Sequence, residues 1–284
     1  MKVVTAVVNN PIFIEIQYHT LKKYLKCDDD VEFIVFNDAK DFPDFTNHGD
    51  LSIKSQIEDL CNKLNIKCIN IPNQNHRSNL DAGIRCADSM NYILNYQIQN
   101  PDRYLLLDSD MFLIDYFDID AYSNYDCAVV LQSRNNGQIN YFWNGIYYFD
   151  MFKMGDIGML NWSTCNSCDV GGMMQSWLKK QMGNLPMPNT DEIRWTNKSF
   201  NTHNIYFIKH LWSCSWDKTE LPEKLKEKRE LIEFIQNDPR NNNGKYFCEI
   251  YDNVFLHYRA GGNWRKEGLD FHNELAVKLK NSIV

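Results

Sequence analysis

Three consecutive residues, Asp108-Ser109-Asp110, carry the sharpest chemical signal in this 284-residue sequence. They follow the apolar run at residues 103–107, so two carboxylates one residue apart stand where a strand stops abruptly. Hard oxygen ligands fixed in that way suit Mg²⁺ or Mn²⁺, which leave positions open for water and phosphate. As a bare pattern the pair also reads as two solvated acids ending a strand. His257 is the second signal, in Phe255-Leu256-His257-Tyr258-Arg259-Ala260-Gly261-Gly262-Asn263-Trp264. A histidine closing an apolar strand can give nitrogen to a borderline cation such as Mn²⁺. The glycines after it would let backbone amides approach a phosphate closely, and Arg259 or Arg265 would add charge. The plain alternative is a satisfied core histidine followed by an ordinary turn.

The elements that must position these residues alternate regularly up to residue 110. Residues 2–8 form a continuous β-branched run, the pattern of a strand covered on both faces. Ile14, Tyr18, Leu21 and Leu25 recur at helical spacing after Pro11. A second strand at 32–36 ends at Asn37-Asp38, and a helix at 51–64 puts Ile53, Ile57, Leu60 and Leu64 on one face. A third strand at 67–71, a helix at 80–94 and a fourth strand at 104–107 complete the series. Strands joined by crossover helices imply a parallel sheet with right-handed connections. Ligands then bind beyond the carboxyl ends of the strands, at the switch point. Asn9-Asn10, Asp38, the loop 73–79 and Asp108–Asp110 all fall at carboxyl ends, so the topology gathers them on one rim.

Beyond residue 110 the pattern is less regular. Residues 127–132 and 145–149 read as strands of an antiparallel or mixed extension, 170–182 and 223–236 as helices, and 253–258 as a late strand. The polar stretch 237–244 reads as a loop and a candidate for mobility. No repeat, low-complexity tract or linker divides the chain, so a single domain over 1–284 is expected.

Composition excludes several classes. The chain has 30 basic and 37 acidic residues, a net charge of −7, against the basic face of a nucleic-acid binder. No apolar run reaches the roughly 18–20 residues a membrane span needs. The short apolar N-terminus ends at Asn9-Asn10-Pro11 without a cleavage pattern, and reads as a buried strand rather than a signal peptide. Nine cysteines without framework spacing favour reduced thiols in a cytosol-like, cytoplasmic setting. Cys165-Asn166-Ser167-Cys168 lacks a second ligand pair for a zinc site and reads as incidental. The tryptophans Trp143, Trp195, Trp212, Trp216 and Trp264 read as core, with sugar stacking as the other option.

Taken together, the alternating N-terminal half ending in Asp-x-Asp resembles the GT-A fold of nucleotide-sugar glycosyltransferases. The downstream motifs are similar to glycosyltransferase family 8, the glycogenin-like and lipopolysaccharide galactosyltransferase group. That family closes its catalytic domain with His-x-x-Gly-x-x-Lys-Pro-Trp, and this chain has His257, Gly261 and Trp264. Here the glycine comes one residue later and Asn263 stands where Lys-Pro is expected, so the family's lysine–phosphate contact would fall to Arg259 or Lys266. Trp143-Asn144-Gly145 resembles the family's Asn-x-Gly segment. Asp169-Val170 resembles its Asp-Gln pair, with valine replacing glutamine.

The resemblance implies a mostly parallel α/β sheet flanked by helices, with a mixed-strand acceptor-side extension. Residues 1–110 would form the nucleotide-binding half and 111–284 the donor-sugar and acceptor half. Asp108, Asp110 and His257 would ligate Mn²⁺ or Mg²⁺. Val8, Asn9, Asp38, Arg77, Asn79, Ser109, Gly261 and Trp264 would contact a nucleotide-diphosphate-sugar, a UDP-sugar by family analogy. Asn144 and Asp169 would hold the donor sugar opposite a carbohydrate or glycoconjugate acceptor. The order of motifs favours retention of configuration, with the departing phosphate taking the acceptor proton. Inversion would need a carboxylate base from Asp169, Asp191 or Glu192. For individual residues the bland readings stay open: Asn79 as a helix cap, Asp38 as a turn residue. Two rival functions remain, a non-catalytic nucleotide- or carbohydrate-binding module and a sugar-phosphate nucleotidyltransferase. The latter lacks its Gly-rich loop, since Val8-Asn9-Asn10-Pro11 follows the first strand.

Overall fold

The computed structural model describes residues 1–75, 82–165, 168–190, 204–262 and 268–284. The N-terminal half runs β1 (Lys2–Val7), α1 (Ile12–Tyr24), β2 (Leu25–Lys26), β3 (Glu32–Asn37), α2 (Ile53–Leu64), β4 (Lys67–Asn70), α3 (Ala82–Gln99) and β5 (Arg103–Leu107). There follow β6 (Met111–Leu113), β7 (Phe117–Asp118), α4 (Asp120–Ser123), β8 (Cys127–Arg134), β9 (Ile139–Asp150) and α5 (Gln175–Met182). The chain continues through β10 (Ile205–Phe207), β11 (His210–Leu211), β12 (Glu249–Tyr251) and β13 (Phe255–His257), with helices at Arg229–Gln236 and Leu269–Ile283.

Seven strands form the central sheet in the order β10-β8-β9-β5-β1-β3-β4. β1 lies parallel to both neighbours, β3 and β5, and β3 is parallel to β4. The chain therefore leaves β1 to one side and returns on the other side at β5. Their carboxyl ends form the switch point where α/β sheets place ligands. β9 is antiparallel to β5 and β8, the mixed extension the sequence suggested. A smaller antiparallel sheet, β11-β12-β13-β6, grows directly from the end of β5.

Burial explains why the inner strands read as continuous apolar runs. Val3, Val4, Val7, Ile34, Val35, Leu105 and Leu107 are completely buried because helices or the second sheet cover both faces. α3 lays Ala87, Met90, Ile93 and Leu94 on one face. α2 packs Ile53, Ile57 and Cys61 against Val7, Ile14 and Val35. α1 also turns Phe13 and Ile16 toward the small sheet and the two C-terminal helices.

Several expected elements are corrected. The helix expected over 170–182 starts late. Gly171 is left-handed (φ 94°), a 3-10 turn covers Gly172–Met174, and the α-helix begins only at Gln175. The helix expected over 223–236 is a 3-10 turn, Glu223–Leu225, separated from Arg229–Gln236. The backbone leaves helical geometry at Lys228 (φ −86°, ψ 73°), whose ammonium lies 3.4 Å from Asp115. The third helix continues to Gln99, five residues past the expected end at 94, because Tyr96 and Ile98 still pack on the core. The strand expected over 145–149 runs Ile139–Asp150, and the one over 253–258 is Phe255–His257 after a left-handed Asp252-Asn253 turn. The stretch 237–244 is pinned rather than loose: Asn241 Nδ2 donates to the carbonyls of Ile235 and Gln236 at 2.8 and 3.0 Å.

The nine cysteines are all free thiols. Among the described residues, no helix is long and apolar enough to cross a membrane.

Candidate active site

Strand register assembles the site. β6 begins one residue after Asp110 and pairs with β13 so that Met111 stands opposite His257, while β12 sets Glu249 opposite His257 on the other side. Directly opposed residues share a face of a sheet, so Glu249 and His257 meet beside the Asp108–Asp110 turn. His257 Nε2 lies 3.0 Å from Asp110 Oδ1, and Nδ1 lies 2.9 Å from Glu249 Oε2. One ligand atom from each of Asp108, Asp110 and His257 falls within 4.8 Å of the others.

The turn that carries the carboxylates is fixed from three directions. From α1, Gln17 Nε2 donates to the carbonyls of Asp108 (2.7 Å) and Met111 (3.0 Å). From β9, the Gly145 carbonyl accepts the Asp108 N–H at 2.7 Å. From the segment after β13, the Gly261 N–H donates to Asp110 Oδ2 at 2.7 Å. Gly261 has to be glycine for this approach, since a Cβ there would sit 2.5 Å from the Phe13 ring.

Electrostatics follow from burial and proximity. Burial and the neighbouring Asp110 push the Asp108 carboxyl up to about 7. Asp110 moves the other way: burial opposes its charge, but His257 and the Gly261 amide hold it below the usual carboxylate range. Burial alone would lower His257, yet Asp110 and Glu249 raise it to about 10. Glu249 is likewise held low by His257 against the effect of burial, and it also accepts from Tyr251 Oη (2.8 Å) and the Ser213 amide (3.0 Å). Two carboxylates and an imidazole are a fitting donor set for Mn²⁺ or Mg²⁺. Glu249 supplies the carboxylate behind the histidine that metal-ligating imidazoles usually have.

The three groups open into a cavity of about 680 Å³ whose wall also contains Val8, Asp38, Ser109, Asn144 and Asp169. Asn144 is nearly buried, with Nδ2 3.5 Å from Cys86 Sγ, while Asp169 is exposed and accepts the Val170 N–H at 2.8 Å. Asp38 is engaged by the protein: Lys40 Nζ and Ser89 Oγ each approach it at 2.7 Å. Asn9 is held back from the wall, its Nδ2 donating to the carbonyls of Thr46 (2.9 Å) and Gly262 (3.2 Å). It therefore stitches two loops beside the cavity. Arg77, Asn79, Asp191 and Trp264 lie outside the described residues.

Two contributors, Glu249 and Lys40, carry no signal that the sequence analysis used. Glu249 carries no local signal, since only the β12–β13 register brings it to His257. Lys40 is buried in the cavity wall, where burial lowers its ammonium against the pull of Asp38. Its spacing from Asp38 could have suggested the pair. Of the two options the sequence left for Trp143, core or sugar-stacking face, the structure puts the indole in the cavity wall with Trp212, stacked on Tyr251 (5.2 Å, 15°) and leaning on His257 (5.2 Å). Trp216 is fully buried as expected.

No family model matches the sequence, and no curated protein does so closely. Among solved structures the chain is similar to an active-site mutant of LgtC, with 16% identity and a TM-score of 0.37 over 56% of this chain and 61% of that one. It is also similar to galactosyltransferase LgtC in complex with donor and acceptor sugar analogues, with 14% identity, a TM-score of 0.36 and 68% of each chain covered. A third likeness is to the bifunctional glycosyltransferase WbbM, with 13% identity and a TM-score of 0.33 over 53% of this chain and 31% of that one.

Proposed function

We propose that this chain is a metal-dependent glycosyltransferase of GT-A type, moving a sugar from a nucleotide-diphosphate-sugar, taken to be a UDP-sugar, to an acceptor hydroxyl with retention of configuration. The observation that carries this reading is the convergence of Asp108, Asp110 and His257 at the β1/β5 switch point, inside a cavity large enough for a nucleotide-sugar. In this reading residues 1–110 receive the nucleotide and 111–284 the sugars, within one domain.

Asp108, Asp110 and His257 would hold Mn²⁺ or Mg²⁺. When bound, the cation would act as a Lewis acid toward the diphosphate, countering the charge that grows on the leaving group. Val8 and Ser109 border the nucleotide. Asn144 and Asp169 hydrogen-bond the donor sugar, and the Asp169 carboxylate stabilises positive charge developing at the anomeric carbon. Trp143 and Trp212 offer aromatic faces to the acceptor. Arg77, Asn79 and Trp264 are assigned to the diphosphate side, whereas Gly261, expected there from the sequence, spends its N–H on Asp110; Asp191 is kept as the base that an inverting course would require.

Incubating the protein with a panel of nucleotide-sugars, with Mn²⁺ or with EDTA, tests the reading. Release of nucleotide diphosphate that depends on Mn²⁺ is expected for at least one donor. Binding without turnover across all donors and acceptors would instead favour a non-catalytic binding module.

A further inference from the structure

Between His257 and the amide that anchors Asp110 the backbone takes an unusual path. Arg259 (φ 63°) and Ala260 (φ 56°) are both left-handed, a conformation unfavourable for any residue with a Cβ. The path makes the chain wrap around one residue: the Tyr258 N–H donates to the main-chain carbonyl of Asp110 at 2.9 Å, and the Gly261 N–H to its carboxylate Oδ2 at 2.7 Å. Strain of this kind persists only where the surroundings impose it.

The group that imposes it comes from elsewhere in the sequence. Arg240 Nη1 donates to the Arg259 carbonyl at 2.7 Å, and Nη2 to the Tyr258 carbonyl at 3.0 Å. The guanidinium is itself locked by Asp238, with Nε to Oδ1 at 2.9 Å and Nη2 to Oδ2 at 2.7 Å. It also lies over the Tyr258 ring at 3.9 Å and near the Phe247 ring at 4.5 Å. Side-chain exposure is 5% for Arg240 and 0% for Asp238, so the pair is not surface decoration. A planar fork with separate nitrogens can hold a carboxylate on one edge and two successive carbonyls on the other, which a single ammonium cannot do.

We propose that Arg240 is a positioning residue for the metal site: its guanidinium, fixed by Asp238, holds the left-handed Arg259-Ala260 turn so that the Gly261 amide orients the Asp110 carboxylate. The inference rests on the metal-binding role of Asp110 proposed above, and it goes beyond that role by assigning the site's geometry to a residue that never touches the cleft.

Arg240→Lys keeps a cation for Asp238, so the buried acid is not stranded. Mn²⁺ affinity is measured by isothermal titration calorimetry on wild type, Arg240→Lys, Ala260→Gly and the double variant, alongside the melting temperature of each metal-free protein. Direct partners of metal ligands are worth about 10–100-fold in affinity; Arg240 acts one bond further out through the Gly261 amide, so Arg240→Lys is expected to weaken Mn²⁺ binding by roughly three- to tenfold. Glycine at 260 removes the penalty on the left-handed turn, so the double variant is expected to regain part of that loss. Wild-type affinity in Arg240→Lys overturns the inference while leaving the metal site intact. A loss that tracks melting temperature without rescue by glycine assigns Arg240 to general stability and also overturns it. Absence of Mn²⁺ binding in wild type removes the metal reading itself, and the inference with it.

Discussion

In the proposed metal site, Glu249 would make His257 an oriented ligand. With Nδ1 engaged by Glu249 at 2.9 Å, the imidazole presents Nε2 to the two aspartates. Glu249→Gln keeps an acceptor but removes the charge, so Mn²⁺ affinity should fall about 10–100-fold while the far-UV circular dichroism stays unchanged. An unchanged dissociation constant would contradict the role. The same cluster makes binding pH-dependent. Asp108 is raised to about 7 and His257 to about 10, so both hold protons that a cation must displace. Lower pH keeps those protons on and opposes the cation. Affinity should therefore rise with pH, and more protons should be released near pH 6 than near pH 8. Calorimetry in buffers of different ionisation enthalpy reads the release directly, and binding without proton release would count against the ligand set.

Elements deliver these residues through close contacts that single atoms can break. The Trp143 indole lies across Gly145, where a Cβ would come within 2.0 Å of the ring. Gly145→Ala should push the indole off Tyr251 and His257 and destabilise the fold by about 1–3 kcal/mol, and an unchanged melting temperature would show the contact to be soft. A second tie joins β10 and α4 to the β12–β13 hairpin. Asp252 accepts from Tyr122 Oη (2.5 Å), the Lys209 amide (2.9 Å) and Tyr206 Oη (3.4 Å). Burial raises its carboxyl from 3.8 to about 6 despite these donors. A raised acid favours the folded state when protonated. That contribution is complete below the unfolded value near 3.8 and is lost as pH rises through about 6. Asp252→Asn should therefore gain stability relative to wild type by about 2 kcal/mol between pH 4 and pH 7. Urea unfolding at both pH values checks this, and a constant difference would refute it.

At the scale of the whole molecule, legibility divides at residue 110. The strands β1, β3 and β5 could be read because parallel strands buried on both faces leave apolar runs, and their order placed Asp108–Asp110 on the ligand rim, whereas β2 was missed because Leu25 falls at helical spacing after Leu21. The second sheet was hard to read because β6, β12 and β13 are three residues each. Its pairings are also remote: the Asp110–His257 contact bridges 147 positions. His257 was legible through the glycines that follow it. Glu249 and Arg240 were not, since an acid before Ile250 and an arginine in a polar loop look like ordinary surface chemistry. Strand register reveals the first, and the folded path of the chain after β13 reveals the second. In the proposed enzyme Asp108, Asp110 and His257 would hold the cation that turnover requires. That role is tested most directly by comparing Mn²⁺-dependent nucleotide diphosphate release in wild type and Asp110→Ala, with circular dichroism confirming that both are folded. A loss of at least about 100-fold is expected in the folded variant; turnover at the wild-type rate would overturn the metal assignment.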